Sequence, residues 1–314
     1  MDKLIGMVKV RTVESPSKFL ALLITRQAKN YRPDHFIVVN KMTAGSVVEN
    51  LHIQNWPTHL FSISSSSNLT MRGMLLDNRA GDAPNFRSGG LPAAHNSDGF
   101  DVSTTNDSVI YNNIVYNQDD CVAITSGNNI TVHNFYCSGG HGMSIGSVGG
   151  KSNNNVTNIL VGILFSFRVG KVLTSLKFTE SVIVNSQNGA RIKTNYNTTG
   201  FISNITYSNI VVSNISIYGI DVQQDYLNGG PVSLMLSTLP VHNANRSQTG
   251  IPSNGVTISN ILFSNLRGTA AAGAQDYYVL CGNGSCSNFD FEGVYITGGT
   301  NASSCNFPPS GCPS

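Results

Sequence analysis

The sequence predicts an all-β chain wound as a parallel β-helix, a solenoid in which each turn of backbone adds one coil. Three observations carry that expectation. Short β-branched segments close on Asn, Gly or Ser from about residue 45 onward, as in SVVENLHIQN, NLTMRGMLLDN, SVIYNNIVYNQ, NITVHNFYCSGG, ESVIVNSQNG, NITYSNIVVSN and VTISNILFSN. Within them apolar and polar residues alternate, which is the period of half-buried strands, and no segment of comparable length keeps a helical apolar stripe. The texture recurs at roughly 20 to 30 residues, the signature of a stacked repeat, and β-branched residues with Asn at the corners favour a parallel winding. A β-sandwich is the alternative architecture for the same strands.

Composition agrees with an ordered, turn-rich β protein. Of 314 residues, 40% are hydrophobic, 31 are glycine and only 11% are charged, against a usual charged share of about a quarter. The net charge of +2, with no run of Lys and Arg, leaves no footprint for nucleic acid. The apolar run FLALLI near the N-terminus is too short for a membrane span or a signal-peptide core. Six cysteines, at 121, 137, 281, 286, 305 and 312, fall into three close pairs and fit no CxxC or Cys/His metal pattern. Read as Cys121–Cys137, Cys281–Cys286 and Cys305–Cys312 disulfides, they point to an oxidising compartment, although six cysteines allow fifteen pairings. Ten Asn-x-Ser/Thr sequons fit a secreted glycoprotein.

A solenoid stacks residues one coil apart at the strand spacing of about 4.8 Å, so functional groups should recur at the coil length. Asp98 precedes Asp119 and Asp120 by 21 and 22 residues, and His141 follows Asp120 by 21. Three successive coils therefore present a carboxylate, a carboxylate pair and an imidazole on one wall. Taken alone, the tandem acids of NQDDC read as a turn, and Asp101 reads as a turn-capping acid near Gly-Phe. The glycines of GGHG allow a chain to approach the backbone beside His141. No second histidine lies at metal-ligand spacing from it, so neither a metal nor a cofactor is expected. Arg191 and Lys193, two apart in RIK, share one face of a strand.

NSDGFD at 96–101, NQDDC at 117–121, GGHG at 139–142 and RIK at 191–193, in that order, resemble the four signatures of the polygalacturonases of glycoside hydrolase family 28. The likeness runs from RPDHFIVVNK to the C-terminus and is greatest to fungal endo-acting enzymes. Ser97 departs from the more frequent threonine. The resemblance implies a right-handed parallel β-helix, a monomer acting outside the cell, whose groove cleaves α-1,4-linked galacturonan of pectin with inversion. It assigns Asp119 to protonate the leaving oxygen and Asp98 and Asp120 to activate water. His141 then tunes these carboxyls, Arg191 and Lys193 grip a galacturonate carboxylate, and Tyr218 contacts the sugar. Inversion needs an acid on one side of the bond and a water-holding carboxylate on the other, roughly 6.5 to 9.5 Å apart. Crowded carboxyls keep one another protonated, so an acidic working pH follows. An exo-acting enzyme and a pectin-binding β-helix without activity are the competing readings.

The β-helix domain is assigned to residues 32–314 and an atypical segment, a mis-called start lacking the first coils, to residues 1–31. Two pieces break the texture, VGILFSFRVGKVLTSLK at 161–177 and VSLMLSTLPVHNANRSQ at 232–248. Joining Leu160 to Phe178, and Pro231 to Thr249, restores it. Each piece is 17 residues long, begins with Val, whose codons start with GT, and ends with Lys or Gln, whose codons can end in AG. Both are read as translated introns. A solenoid with an uncapped end and such inserts is expected to fold poorly and act weakly as written.

Overall fold

The computed structural model describes residues 34–162, 180–228 and 248–313, together with strands Val8–Arg11 and Phe19–Leu20. Apart from those two strands, segment 1–31 lies outside the described residues. So do the two inserts, except Val161, Gly162 and Gln248.

Alternation of apolar and polar residues winds the chain into coils whose strands pair in parallel with the coils before and after. Among the described residues, one nine-stranded sheet runs from His35–Asn40 through His59–Ser64, Phe100–Ser103, Val122–Ile124, Met143–Val148, Asn188–Asn195, Tyr218–Tyr226 and Gln275–Leu280 to Ser304–Cys305. Its inward residues form one aliphatic column in direct register, from Ile63 through Val102, Ile124, Ile145, Ile192 and Val222 to Val279. All seven are buried. Aromatic rings continue the core, with Phe61 stacked on Phe100 and Tyr207 on Phe263. This parallel winding bears out the predicted solenoid and excludes the sandwich.

A second, fourteen-stranded sheet contains long strands, such as Gly200–Ile215 and Val256–Ala270, that turn corners without leaving the sheet. The corners are asparagines in the left-handed region, among them Asn158, Asn204, Asn260 and Asn288, with φ of 53–56°. A left-handed conformation costs most L-residues roughly 1–2 kcal/mol, and Asn tolerates it best after Gly. These side chains stack into a ladder: the Nδ2 amide of Asn204 donates to Asn158, that of Asn260 to Asn204 and that of Asn288 to Asn260, at 2.9–3.0 Å.

Register exposes a surplus of chain beside the first insert. Gly162 pairs with Ser208 and Ser181 with Ile210, so the neighbour advances two residues while this chain advances nineteen. On the other side, Val132 pairs with Val161 and Tyr136 with Val182, four residues against twenty-one. Both neighbours give seventeen residues too many.

All three disulfides join the expected cysteines, Cys121–Cys137, Cys281–Cys286 and Cys305–Cys312.

Candidate active site

The register that aligns the aliphatic column also aligns the site. Phe100, Val122 and Met143 pair directly in adjacent strands. Asp98, Asp120 and His141 each stand two residues before one of these, so they occupy equivalent positions of three successive coils, as the spacing predicted. Side chains pointing out of the sheet form a second row in register, Asp101, Ala123, Ser144, Arg191 and Asp221. The cleft above is lined by Asp98, Asp101, Asp119, Asp120, Lys193 and Tyr226, among others.

The turn that carries the tandem acids is held from below. The Asn117 amide donates to the carbonyls of Ser97, Asp119 and Asp120 at 2.9–3.1 Å. The Ser97 hydroxyl donates to Gln118 Oε1 and accepts from the Gln118 N–H, so the contact needs a hydroxyl and is met by serine as by threonine. A Cβ at Gly140 would run into the Asp119 carbonyl, and Gly142 has φ +98°, which accounts for two glycines of GGHG.

Each carboxylate has a different partner. Asp119 Oδ1 lies 3.0 Å from His141 Nδ1 and accepts the Asp120 N–H at 2.8 Å. Asp120, 2% exposed, accepts from Lys193 Nζ at 2.6 Å and from the Ser144 hydroxyl at 2.7 Å. Lys193 reaches this acid across the intervening coil that bears Ser144. Arg191 donates to Asp221 at 3.0 Å and stands 3.8 Å from Asp120. The Tyr226 ring lies under both cations, 5.3 Å from the Arg191 guanidinium carbon and 5.0 Å from Lys193 Nζ.

Burial, together with the charges of Asp119, Asp101 and Asp120, raises the Asp98 carboxyl well above the usual range. Burial also works to raise Asp119, but the charge and hydrogen bond of His141, helped by Lys193, outweigh it and hold Asp119 below that range. The surroundings thus favour the neutral form at Asp98 and the ionised form at Asp119, the residue assigned as donor. Asp221, fully enclosed, is pushed up to about 7 by burial despite Arg191.

Two sequence expectations are corrected. Tyr218 does not line the cleft: it is 3% exposed and stacks on Tyr278 at 4.5 Å. The cleft tyrosine is Tyr226, eight residues further along the same strand. Asp101 does not act as a turn cap, because its carboxylate faces His35 at 3.4 Å within the cleft. Asp221 was missed, although it pairs in register with Arg191 one coil on. The coil-spacing rule that linked Asp98 to Asp120 finds it when extended from RIK.

Paired carboxylates on the wall of a groove are the apparatus of sugar-bond hydrolysis, and fold and site together define a β-helical glycoside hydrolase. The chain belongs to family 28 of these enzymes: the profile described as "Glycosyl hydrolases family 28" matches residues 17–164 and 166–314. It is 56% identical over 285 residues to a polygalacturonase of Fusarium fujikuroi, covering 91% of this chain and 67% of that protein. It is 51% identical over 282 residues to endopolygalacturonase D of Aspergillus niger, covering 90% of this chain and 50% of that one. The chain thus spans half to two-thirds of the length of these relatives. Among solved structures, endopolygalacturonase I of Stereum purpureum complexed with two galacturonates superposes with a TM-score of 0.66 at 27% identity, covering 87% of this chain and 68% of that one.

Proposed function

We propose that this protein is an endo-acting polygalacturonase that hydrolyses α-1,4-galacturonosyl bonds of pectin with inversion. The observation that carries the reading is the stack of Asp98, Asp120 and His141 at equivalent coil positions, with Asp119 beside it and Lys193 and Arg191 two coils on. Endo action is supported by the relatives named endopolygalacturonase. Asp119 donates to the leaving oxygen, and its proton comes through the 3.0 Å contact with His141 Nδ1. Asp120, ion-paired to Lys193, and Asp98 hold the attacking water between them, and the proton that the water loses on attack passes to this pair, balancing the one Asp119 gives to the leaving oxygen. Lys193, Arg191 and the Tyr226 ring form the uronate-binding side.

Incubation with polygalacturonate tests this directly. Rapid viscosity loss with few reducing ends supports endo action, monomer release from the first minutes replaces it with exo action, and binding without new reducing ends removes catalysis altogether.

Three disulfides support an exported enzyme. The seventeen surplus residues beside Gly162 support the reading of 161–177 as a retained intron, and 232–248 is proposed as a second on its sequence alone. Without that surplus, the 46-residue step from Asn158 to Asn204 becomes 29, in line with 28 from Asn260 to Asn288. Sequencing of the mature transcript decides the point; a message that keeps both segments refutes it.

A further inference from the structure

His35 and His59 are 24 residues apart, one coil, and the register pairs them directly with ring centroids 4.8 Å apart. Both rings turn the same way. Nδ1 of each faces Asp34, at 3.3 Å from Oδ2 for His35 and 3.6 Å from Oδ1 for His59, the latter also 3.9 Å from Asp101 Oδ2. Nε2 of each faces an acid of the cleft, Asp101 Oδ2 at 3.4 Å for His35 and Asp98 Oδ1 at 3.6 Å for His59. An imidazole that binds a metal through one nitrogen directs the N–H of the other at a carboxylate, and here Nε2 of each of two neighbouring imidazoles lies 3.4–3.6 Å from one, a small movement short of that bond. His59 Nδ1 is also enclosed without a hydrogen-bond partner among the described residues, which for a buried polar atom calls for a ligand.

The donor separations suit a small cation. Bonds of about 2.05 Å to a tetrahedral centre place the ligand atoms roughly 3.3 Å apart. The Asp34 carboxylate reaches the two imidazoles at 3.3 and 3.6 Å, one through each oxygen, and one donor atom from each of the three residues lies within 4.8 Å of the other two. We infer that Asp34, His35 and His59 bind a divalent transition-metal ion at one end of the cleft, backed by Asp101 and Asp98 behind the two rings. Two nitrogens and one oxygen select zinc-like ions over magnesium or calcium, which prefer oxygen donors. The ion sits in the groove meant for the polysaccharide and is tied through His59 to Asp98, so ion and substrate exclude each other. That exclusion rests on the hydrolytic reading, whereas the binding does not.

Isothermal titration of the full chain with zinc chloride at pH 7 tests the site. One ion per chain is expected, with no saturable heat from calcium chloride. Asp34→Asn, on a side chain 84% exposed and remote from the core, should weaken zinc at least tenfold, and His35→Phe with His59→Gln should abolish binding. Absence of saturable zinc binding, or equal affinity in all three proteins, overturns the proposal. In hydrolysis assays zinc should raise KM for polygalacturonate, and this effect should weaken in Asp34→Asn by the factor seen in the titration. Zinc binding in a protein without hydrolysis would overturn the function and leave the metal site standing.

Discussion

Two columns of the solenoid obey the same geometry and use opposite chemistry. At the outer corner, Asn158, Asn204, Asn260 and Asn288 stack one above another, each repeating the bond of the last. At the cleft, Asp98, Asp120 and His141 stack on the same principle with no two adjacent members alike in what they bond. An amide is donor and acceptor at once, so a column of identical asparagines satisfies itself. A carboxylate only accepts when ionised, so stacked acids repel and each must be answered by a donor from another coil. The cleft meets that demand with the pairs His141 to Asp119, Lys193 to Asp120 and Arg191 to Asp221. Repetition makes the corner, and its controlled violation makes the site.

Removing charge from the violated column should have the largest effect. Asp119→Asn is expected to lower kcat by about 10²- to 10⁴-fold with unchanged circular dichroism; near-parental turnover would remove Asp119 as donor. Lys193→Met takes the 2.6 Å ion pair from buried Asp120 and leaves it the Ser144 hydroxyl and the more distant Arg191, which should cost up to about 3–5 kcal/mol in denaturant unfolding. The double variant with Asp120→Asn should recover part of that loss, and no recovery would mean that the pair is not coupled.

Only the charged column should answer to pH. Asp221, at about 7 when folded against an ordinary value near 4 when unfolded, keeps a proton in the fold that the open chain has lost. Its contribution is full below the unfolded value and vanishes as pH rises through 7. Burial raises Asp98 as well, so stability should decline from pH 4 to 7. Asp221→Asn should flatten the profile of melting temperature against pH, and an unchanged slope would place the proton elsewhere.

The smallest change should come from the repeating column. Asn204→Ala removes a rung and forces alanine to φ 56°, at a cost of about 1–2 kcal/mol. Asn204→Gly relieves the backbone and should keep only the lost hydrogen bonds, about 1 kcal/mol. Equal destabilisation by both would mean that the ladder carries all of the effect.

Most of the winding was legible because it is periodic: apolar alternation marked the strands, and Asn marked the corners. The site was legible where the coil length stayed near 21, which linked Asp98, Asp120 and His141. It became opaque beyond the first insert, where the surplus hides the step from His141 to Arg191. Tyr226 was lost for another reason. Tyr218 and Tyr226 belong to one strand, and strand periodicity does not tell a ring packed on Tyr278 from one packed on Lys193. His35 and His59 stood one coil apart in plain view, but the search for metal partners began from His141 and followed the chain rather than the stack.

The bond between Lys193 and Asp120 skips a coil, and that makes it a rivet. Backbone hydrogen bonds of a solenoid join only nearest neighbours, so tension along the axis can peel coils away one at a time from a free end. A side chain that clasps the next coil but one forces the three coils between Asp120 and Lys193 to part together. Pulled from its C-terminal end, the molecule should unravel smoothly as far as the strand Asn188–Asn195 and then resist, holding its reaction centre together longest.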